Sequence, residues 1–312
     1  MLGAVFIAAN TIGGIPLLIG YALKLPIDPA VASKLAANPT DLSVIGIDPV
    51  VTLFMMLFPF LVGLITFALL IRPLHGRSFY QTFNGTSSIR WRRVFVSAII
   101  WIFLSALYFL VYKWLEPSNF KLNNTSSTLI WLAIIAFIFI PFQATLEEII
   151  FRGYLMQGFT VLSKKKEGFF RYISYFTGTT LFPLLMTSVL FALMHAWNPE
   201  IKEYGFFAMI PQYILFGLLF GITTILDDGV EIAAGAHAAN NIFLSILVTN
   251  SSSTLQTPAL YEQVNIKPWV EFWILLAAFI LFFIVMRTIY GWKDLSVLWR
   301  KVEAPPEPDT SL

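Results

Sequence analysis

The chain has 312 residues, of which 57% are apolar and only 12% charged, and its net charge at pH 7 is +2. A water-soluble domain of this length needs a charged exterior and a nucleic-acid partner calls for a strongly basic face, so this composition argues against both. With no cysteine, disulfides, thiolate metal sites and thiolate nucleophiles are excluded, and the redox compartment is unreadable.

The charges fall in short gaps between apolar runs of about the 20 residues that cross a hydrocarbon core. About eight such runs occur, at residues 2–23, 50–71, 94–112, 128–162, 173–197, 206–226, 230–248 and 269–289. They predict an all-α polytopic bundle. The first run carries Asn10, Gly13, Gly14 and Pro16 and lacks a basic start, so it is read as a retained helix rather than a signal peptide. The fourth is too long for one perpendicular helix, and Pro141 within it predicts a kink, a steep tilt or a following interfacial helix. The seventh and eighth runs complete the bundle, and the last ten residues, with Pro305, Pro306 and Pro308, read as a disordered tail. No internal repeat of the kind common in transporters is visible.

Arginine placement predicts orientation, because basic residues are held on the cytoplasmic side during insertion. Arg72, Arg77, Arg90, Arg92 and Arg93 flank one gap, Lys164, Lys165, Lys166 and Arg171 fill another, and Arg287, Lys293, Arg300 and Lys301 follow the last run. All fall on one side. The opposite gaps hold Lys24, Lys34, Lys113, Lys121, Lys202 and Lys267 and no arginine. Both termini are therefore expected in the cytoplasm, and the cell membrane is the expected location.

An ionisable group inside a span costs about 2.5–3.5 kcal/mol on insertion scales, so the default reading of one is functional. The groups singled out are Glu147, Glu148 and Arg152 in the fourth run, His195 at the end of the fifth, and His237 with Asn241 in the seventh. On a helix, Glu148 and Arg152 sit four apart with the acid first, the favourable order for an ion pair. Glu147 points about 100° away. That leaves it for acid–base work; the alternative is that both glutamates simply bracket Arg152 in a buried salt-bridge cluster. His237 and Asn241, also four apart, put two donors on one face, which suits an oxyanion, although both residue types also bond neighbouring membrane helices. Phe191 shares a face with His195, so its ring is expected to limit the imidazole's orientation. A lone histidine near a helix end is usually structural, and His195 gains weight only from its company. Gly217 and Gly221 form a small-residue pattern expected to pack helices, and His75 is expected in a basic loop with no catalytic part.

Glu147-Glu148-x-x-x-Arg152, Phe191-x-x-x-His195 and His237-x-x-x-Asn241, in that order on successive membrane segments, resemble the three signature motifs of the CAAX protease and bacteriocin-processing (CPBP) family of intramembrane proteases, related to the type II CAAX prenyl endopeptidases. The resemblance covers roughly residues 130–248. It implies an intramembrane catalytic chamber in which Glu147 and His195 activate a water for attack on a peptide carbonyl while His237 and Asn241 bind the oxyanion, with Glu148, Arg152 and Phe191 in support. It also implies accessory helices at 1–127, a protease core at 128–250, and a final helix and tail at 251–312. Metal-free glutamate chemistry is the expectation, because Asn241 is an unusual zinc ligand; the alternative is one zinc ion held by Glu147, His195 and His237. The expected partners are a membrane-associated peptide or protein substrate and the lipid bilayer, with no nucleic acid. Competing readings are a catalytically silent scaffold or bacteriocin-immunity protein, and a proton-coupled transporter. Catalysis makes one structural demand: Glu147 and His195 must meet in depth. That requires a bend around Pro141 and a fifth span that begins nearer Phe182 than Ile173.

Overall fold

The computed structural model describes residues 1–24, 27–37, 42–161 and 178–302. The first helices are α1 (Leu2–Thr11), α2 (Ile15–Ala22), α3 (Pro29–Ala37), α4 (Pro49–His75), α5 (Gln81–Asn84) and α6 (Trp91–Leu115). Next come α7 (Thr128–Glu148), a π-helical segment (Ile149–Leu155) and α8 (Met156–Val161). Beyond residue 178 lie α9 (Leu181–Met194), α10 (Pro199–Tyr204), α11 (Phe206–Asp227), α12 (Glu231–Ile246) and α13 (Pro268–Tyr290). The expected all-α bundle is thus present, and a small three-stranded sheet caps one end. In it β3 (Tyr261–Gln263) lies between β1 (Phe120–Leu122), antiparallel, and β2 (Val248–Thr249), parallel.

Local sequence sets the helix limits. The Asp48 side chain accepts the Val50 and Val51 backbone N–H groups at 2.8 and 3.4 Å, and Pro49 follows at the first helical position, so α4 starts there. It stops at Gly76, whose left-handed φ of 68° closes the last turn. Large apolar side chains such as Phe6, Leu69, Ile99, Phe103, Trp131 and Ile284 are exposed on the helix faces. Water would not tolerate such a surface, and lipid does, so this is an integral membrane protein.

The span count corrects the sequence expectation. Six helical stretches among the described residues are long and apolar enough to cross a membrane, not about eight: Leu2–Ala22, Pro49–His75, Trp91–Leu115, Thr128–Thr160, Phe206–Asp227 and Pro268–Tyr290. The first is broken between α1 and α2 at Gly13 and Gly14. The fifth expected run contains only the 14-residue α9; residues 173–177, the basic cluster at 164–171 and the tail from Glu303 lie outside the described residues. The seventh contains the 16-residue α12. It falls short of a span because it is an interior helix. Every residue from Glu231 to His237 is buried, and its small side chains let neighbours come close: a Cβ on Gly235 would sit 2.2 Å from the Val94 carbonyl oxygen of α6. A helix enclosed by α6 and α7 needs no broad apolar face for lipid.

Two further corrections concern the bend of α7 at Pro141 and the place of His75. The helix runs through Pro141 without interruption, and the irregularity falls later, in the π-helical turn directly after Glu148. Such turns carry an extra residue per hydrogen-bonded loop and are frequent where a helix must re-aim side chains. The helix that carries His195, α9, begins at Leu181, and residues 173–177, on which the other half of the depth expectation turns, lie outside the described residues. His75 is the last residue of α4 rather than a loop residue, and its Nε2 lies 3.2 Å from the Tyr154 hydroxyl.

Gly217 and Gly221 pack helices as expected. A Cβ on Gly217 would fall 2.7 Å from Ser188 Cα on α9, and one on Gly221 would fall 2.4 Å from Leu184 Cδ1. Acids beyond those singled out in the sequence also lie within the helices. Glu231, fully buried, accepts Arg90 Nε at 3.0 Å on one oxygen and Arg90 Nη2 at 2.6 Å on the other. Asp227 accepts Arg93 Nε at 2.6 Å and Trp292 Nε1 at 3.2 Å, and Glu271 accepts Gln263 Nε2 at 2.7 Å.

Candidate active site

The buried helix α12 faces α7, and most of the singled-out residues meet between them. Glu148 Oε1 accepts Arg152 Nη1 at 3.1 Å and His237 Nδ1 at 2.8 Å; Arg152 Nη1 also lies 3.0 Å from Glu148 Oε2. The four-residue pairing expected from sequence is present, inside the π-helical turn. It occupies Glu148 with two partners, so Glu148 also aims the imidazole of His237. Arg152 is almost fully buried, donates from Nη2 to the Gly217 carbonyl at 3.2 Å, and lies over the Phe191 ring at 4.6 Å.

Glu147 looks the other way. Its Oε1 accepts Gln143 Nε2 at 2.5 Å. Its Oε2, buried, has no hydrogen-bond partner among the described residues and sits 3.7 Å from His237 Nε2, too long for a direct hydrogen bond. Asn241 lies one turn beyond His237, donates Nδ2 to Gln143 Oε1 at 3.0 Å and accepts Asn240 Nδ2 at 3.1 Å. The imidazole of His237 is stacked at 5.4 Å and 21° on Phe220 of α11.

His195 arrives from a third helix. It is the C-cap of α9, just past the helix proper, and its Nδ1 lies 2.8 Å from the Phe191 carbonyl. A carbonyl only accepts, so Nδ1 carries the proton and Nε2 is the free nitrogen. The Phe191 ring is in contact with both histidines, 4.7 Å from the His195 ring and 6.0 Å from that of His237. The other face of His195 is stacked on Tyr213 at 4.3 Å and 21°. The Tyr213 hydroxyl donates to Glu200, whose carboxylate also accepts Asn198 Nδ2 at 3.1 Å and Thr254 Oγ1 at 3.0 Å.

Glu147, His195 and His237 have the donor chemistry of a His2Glu zinc site, and each histidine's Nδ1 is held by an acceptor as a metal ligand's usually is. Among the described residues, however, no three His, Cys, Asp or Glu side chains gather as closely as one ion requires. As they stand, the donors do not fit a bound metal.

Several residues of this neighbourhood were not singled out from sequence, among them Gln143, Asn240, Tyr213 and Glu200. Gln143 had a usable signal, four residues before Glu147 on the same helical face; Asn240 had only its adjacency to Asn241. Tyr213 and Glu200 have no local signal, because only the packing of α10 and α11 against the end of α9 brings them to His195.

Comparison with known proteins agrees with the motif reading. Residues 125–243 match the family model described as Type II CAAX prenyl endopeptidase Rce1-like. The chain is also 28% identical over 280 residues to the uncharacterized protein YyaK of Bacillus subtilis (strain 168), an alignment covering 89% of this chain and 87% of that protein. No solved structure matches. The matched segment contains all three motifs, on α7 with its π-helical turn, on α9 and on α12, so the family resemblance is borne out as a similarity: residues 125–243 match the Rce1-like family model.

Proposed function

We propose that this chain is an endopeptidase that hydrolyses a peptide bond of a membrane-associated peptide or protein, with water as nucleophile. The observation that carries the reading is Glu147 Oε2: a buried carboxylate oxygen with no hydrogen-bond partner among the described residues, 3.7 Å from the Nε2 of a histidine that Glu148 holds from behind. An ionised carboxylate in a buried setting is costly unless something bonds it. A water lying against Oε2 donates that bond, and Glu147 is placed to take its proton. We assign His195, whose Nδ1 is held by the Phe191 carbonyl, the role of second acceptor through Nε2.

As the water oxygen bonds to the peptide carbonyl carbon, negative charge passes to the carbonyl oxygen. Asn241 has one Nδ2 hydrogen left after its bond to Gln143 and offers it there. His237 offers Nε2, but only as an imidazolium, because Nδ1–H is already donated to Glu148 Oε1. The reading thus requires one proton on His237 before attack. Collapse of the tetrahedral intermediate breaks the C–N bond, and the proton taken by Glu147 passes to the leaving amine.

The test is quantitative membrane proteomics on three strains: one lacking the chain, one complemented with the natural sequence, and one complemented with Glu147→Gln at equal protein level. A substrate precursor accumulates in the first and third and not in the second. A Glu147→Gln strain indistinguishable from the complemented one sinks the reading and favours a silent scaffold.

The orientation is a proposal on the same footing. The connections around residues 76–90 meet those at 227–231 and 291–302 at one end, through Arg90, Arg93, Asp227 and Trp292; those at 116–124, 198–205 and 250–267 meet at the other. The first end carries the arginines, and we place it in the cytoplasm. Because the chain lacks cysteine, single cysteines at exposed Ser87 and Ser251 report this directly. A membrane-impermeant maleimide labels Ser251→Cys in intact cells and Ser87→Cys only after permeabilisation; the reverse pattern inverts the assignment.

A further inference from the structure

Four hydrogen bonds join α6, α12 and α7 into one line of donors. Trp101 Nε1 donates to Asn240 Oδ1 at 3.2 Å, Asn240 Nδ2 to Asn241 Oδ1 at 3.1 Å, Asn241 Nδ2 to Gln143 Oε1 at 3.0 Å, and Gln143 Nε2 to Glu147 Oε1 at 2.5 Å. A primary amide can in principle present either end, and its direction is read from its partners. Here both termini of the line have one polarity only. An indole N–H can only donate, and an ionised carboxylate can only accept. Three amides strung between them have a single arrangement that satisfies every bond, with each NH2 group turned toward Glu147.

We infer that Gln143 is a positioning residue that ties the charge on Glu147 to the direction in which Asn241 faces. Its Nε2 fixes Glu147 Oε1 and leaves Oε2 as the free oxygen; its Oε1 holds Asn241 with the NH2 group, rather than the carbonyl, at the shared edge. The oxyanion donor therefore points correctly because the base is ionised. This rests on the reading of Glu147 as base and Asn241 as oxyanion donor, and it extends that reading by a residue outside the three motifs. Trp101 secures the far end: its ring is buried against Phe279 and Phe282, each 5.3 Å away, which holds its N–H in place. Chains of this kind strengthen one another inside a low-dielectric interior, so an effect at one end is felt at the other.

The direct test needs no substrate. The full-length chain, purified in detergent with 15N in its Asn and Gln side chains, gives NH2 resonances assignable by Gln143→Leu and Asn241→Asp. Replacing Glu147 with Gln removes the acceptor-only terminus, and the expected result is a shift or doubling of the Asn241 NH2 resonance. In the Gln143→Leu background the same replacement leaves that resonance where it was. An Asn241 response to Glu147→Gln that is absent, or equal in the two backgrounds, overturns the inference. A second measurement uses whichever precursor the proteomic comparison identifies: Gln143→Leu lowers kcat about 100-fold with little change in KM, and Gln143→Leu combined with Asn241→Ala loses far less than the product of the two. A multiplicative double variant also overturns it. If no precursor is found but the resonances couple, the proteolytic reading fails while the amide line stands.

Discussion

Two buried polar clusters are built from overlapping helices of this protein, and they differ in how completely their charges are met. At the arginine-rich end, both oxygens of Glu231 are taken by Arg90, and Asn84 adds a further donor; Asp227 is bound by Arg90, Arg93 and Trp292. No side-chain atom of that group is left buried without a partner. At the C-terminal end of α7 and in the π-helical turn the opposite holds, since Glu147 Oε2, Glu148 Oε2 and Arg152 Nε are all buried without a hydrogen-bond partner among the described residues, and of the two acids only Glu148 has a cation beside its oxygen, Arg152 Nη1 at 3.0 Å. The lesson is one of assignment. A buried acid that is fully paired with cations has been given its work by the fold, whereas a buried acid that keeps one bare oxygen beside a histidine is placed to bond something that comes and goes.

Substitutions separate the two clusters. The largest expected effect is at Glu147: Glu147→Gln lowers kcat/KM by on the order of 1000-fold, within the range for removing a general base, while the apparent Tm in detergent is held or raised, because the change removes an unsatisfied charge. Cleavage by the natural chain should persist in a divalent-metal chelator; loss that zinc alone restores would return Glu147, His195 and His237 to the role of ligands. Next is Arg90→Ala, which strands Glu231 and costs about 3 kcal/mol of stability, the low end of the range for breaking a buried ion pair. Activity per folded molecule is unchanged. The double variant Arg90→Ala, Glu231→Leu should regain part of the loss, since the stranded charge has gone with its partner; a double variant less stable than Arg90→Ala would mean that Glu231 has another task. Third, Asn241→Ala lowers kcat about 100-fold with KM nearly constant, as for removal of one oxyanion donor, and a KM effect alone would make Asn241 a substrate-binding residue instead.

How far these clusters were legible in sequence follows from the distance over which each is assembled. Glu148 with Arg152, and Phe191 with His195, are contacts within one turn of helix, and the four-residue spacing announces them. Gln143 before Glu147 has the same spacing and was readable, but an uncharged amide does not stand out in a search for ionisable groups. The pairing of Glu231 with Arg90 joins residues far apart in sequence across two helices, and composition carries no trace of it. Span counting failed at α12 for a related reason: hydropathy measures apolarity, and it cannot tell a helix bathed in lipid from one enclosed by its neighbours; at α9 it failed on length, since that helix has 14 residues and keeps Val189, Leu193 and Met194 exposed. The π-helical turn after Glu148 was equally hidden, because Pro141 supplied a nearer and more obvious place for α7 to deform.

The smallest predicted effect tests whether the ordered neighbourhood reaches beyond the three motifs, at Tyr213. Its ring covers one face of His195 while Phe191 contacts another, and its hydroxyl is tied to Glu200, which Thr254 anchors to the segment leading into β3. The stack and the hydroxyl make separate contributions. Tyr213→Phe keeps a ring of the same outline against the imidazole and gives up only the bond to Glu200, so activity should fall a few-fold, about 1 kcal/mol for one hydrogen bond. Tyr213→Leu removes the flat surface and lets the imidazole rotate about its remaining tether to the Phe191 carbonyl, for a loss of about 10-fold, in kcat rather than KM, the size expected of a lost aromatic contact of about 1.4 kcal/mol. Equal losses in the two variants would place the whole contribution in the Glu200 bond. No loss in either would leave His195 positioned by α9 alone, and would confine the ordered cluster to α7, its π-helical turn and α12.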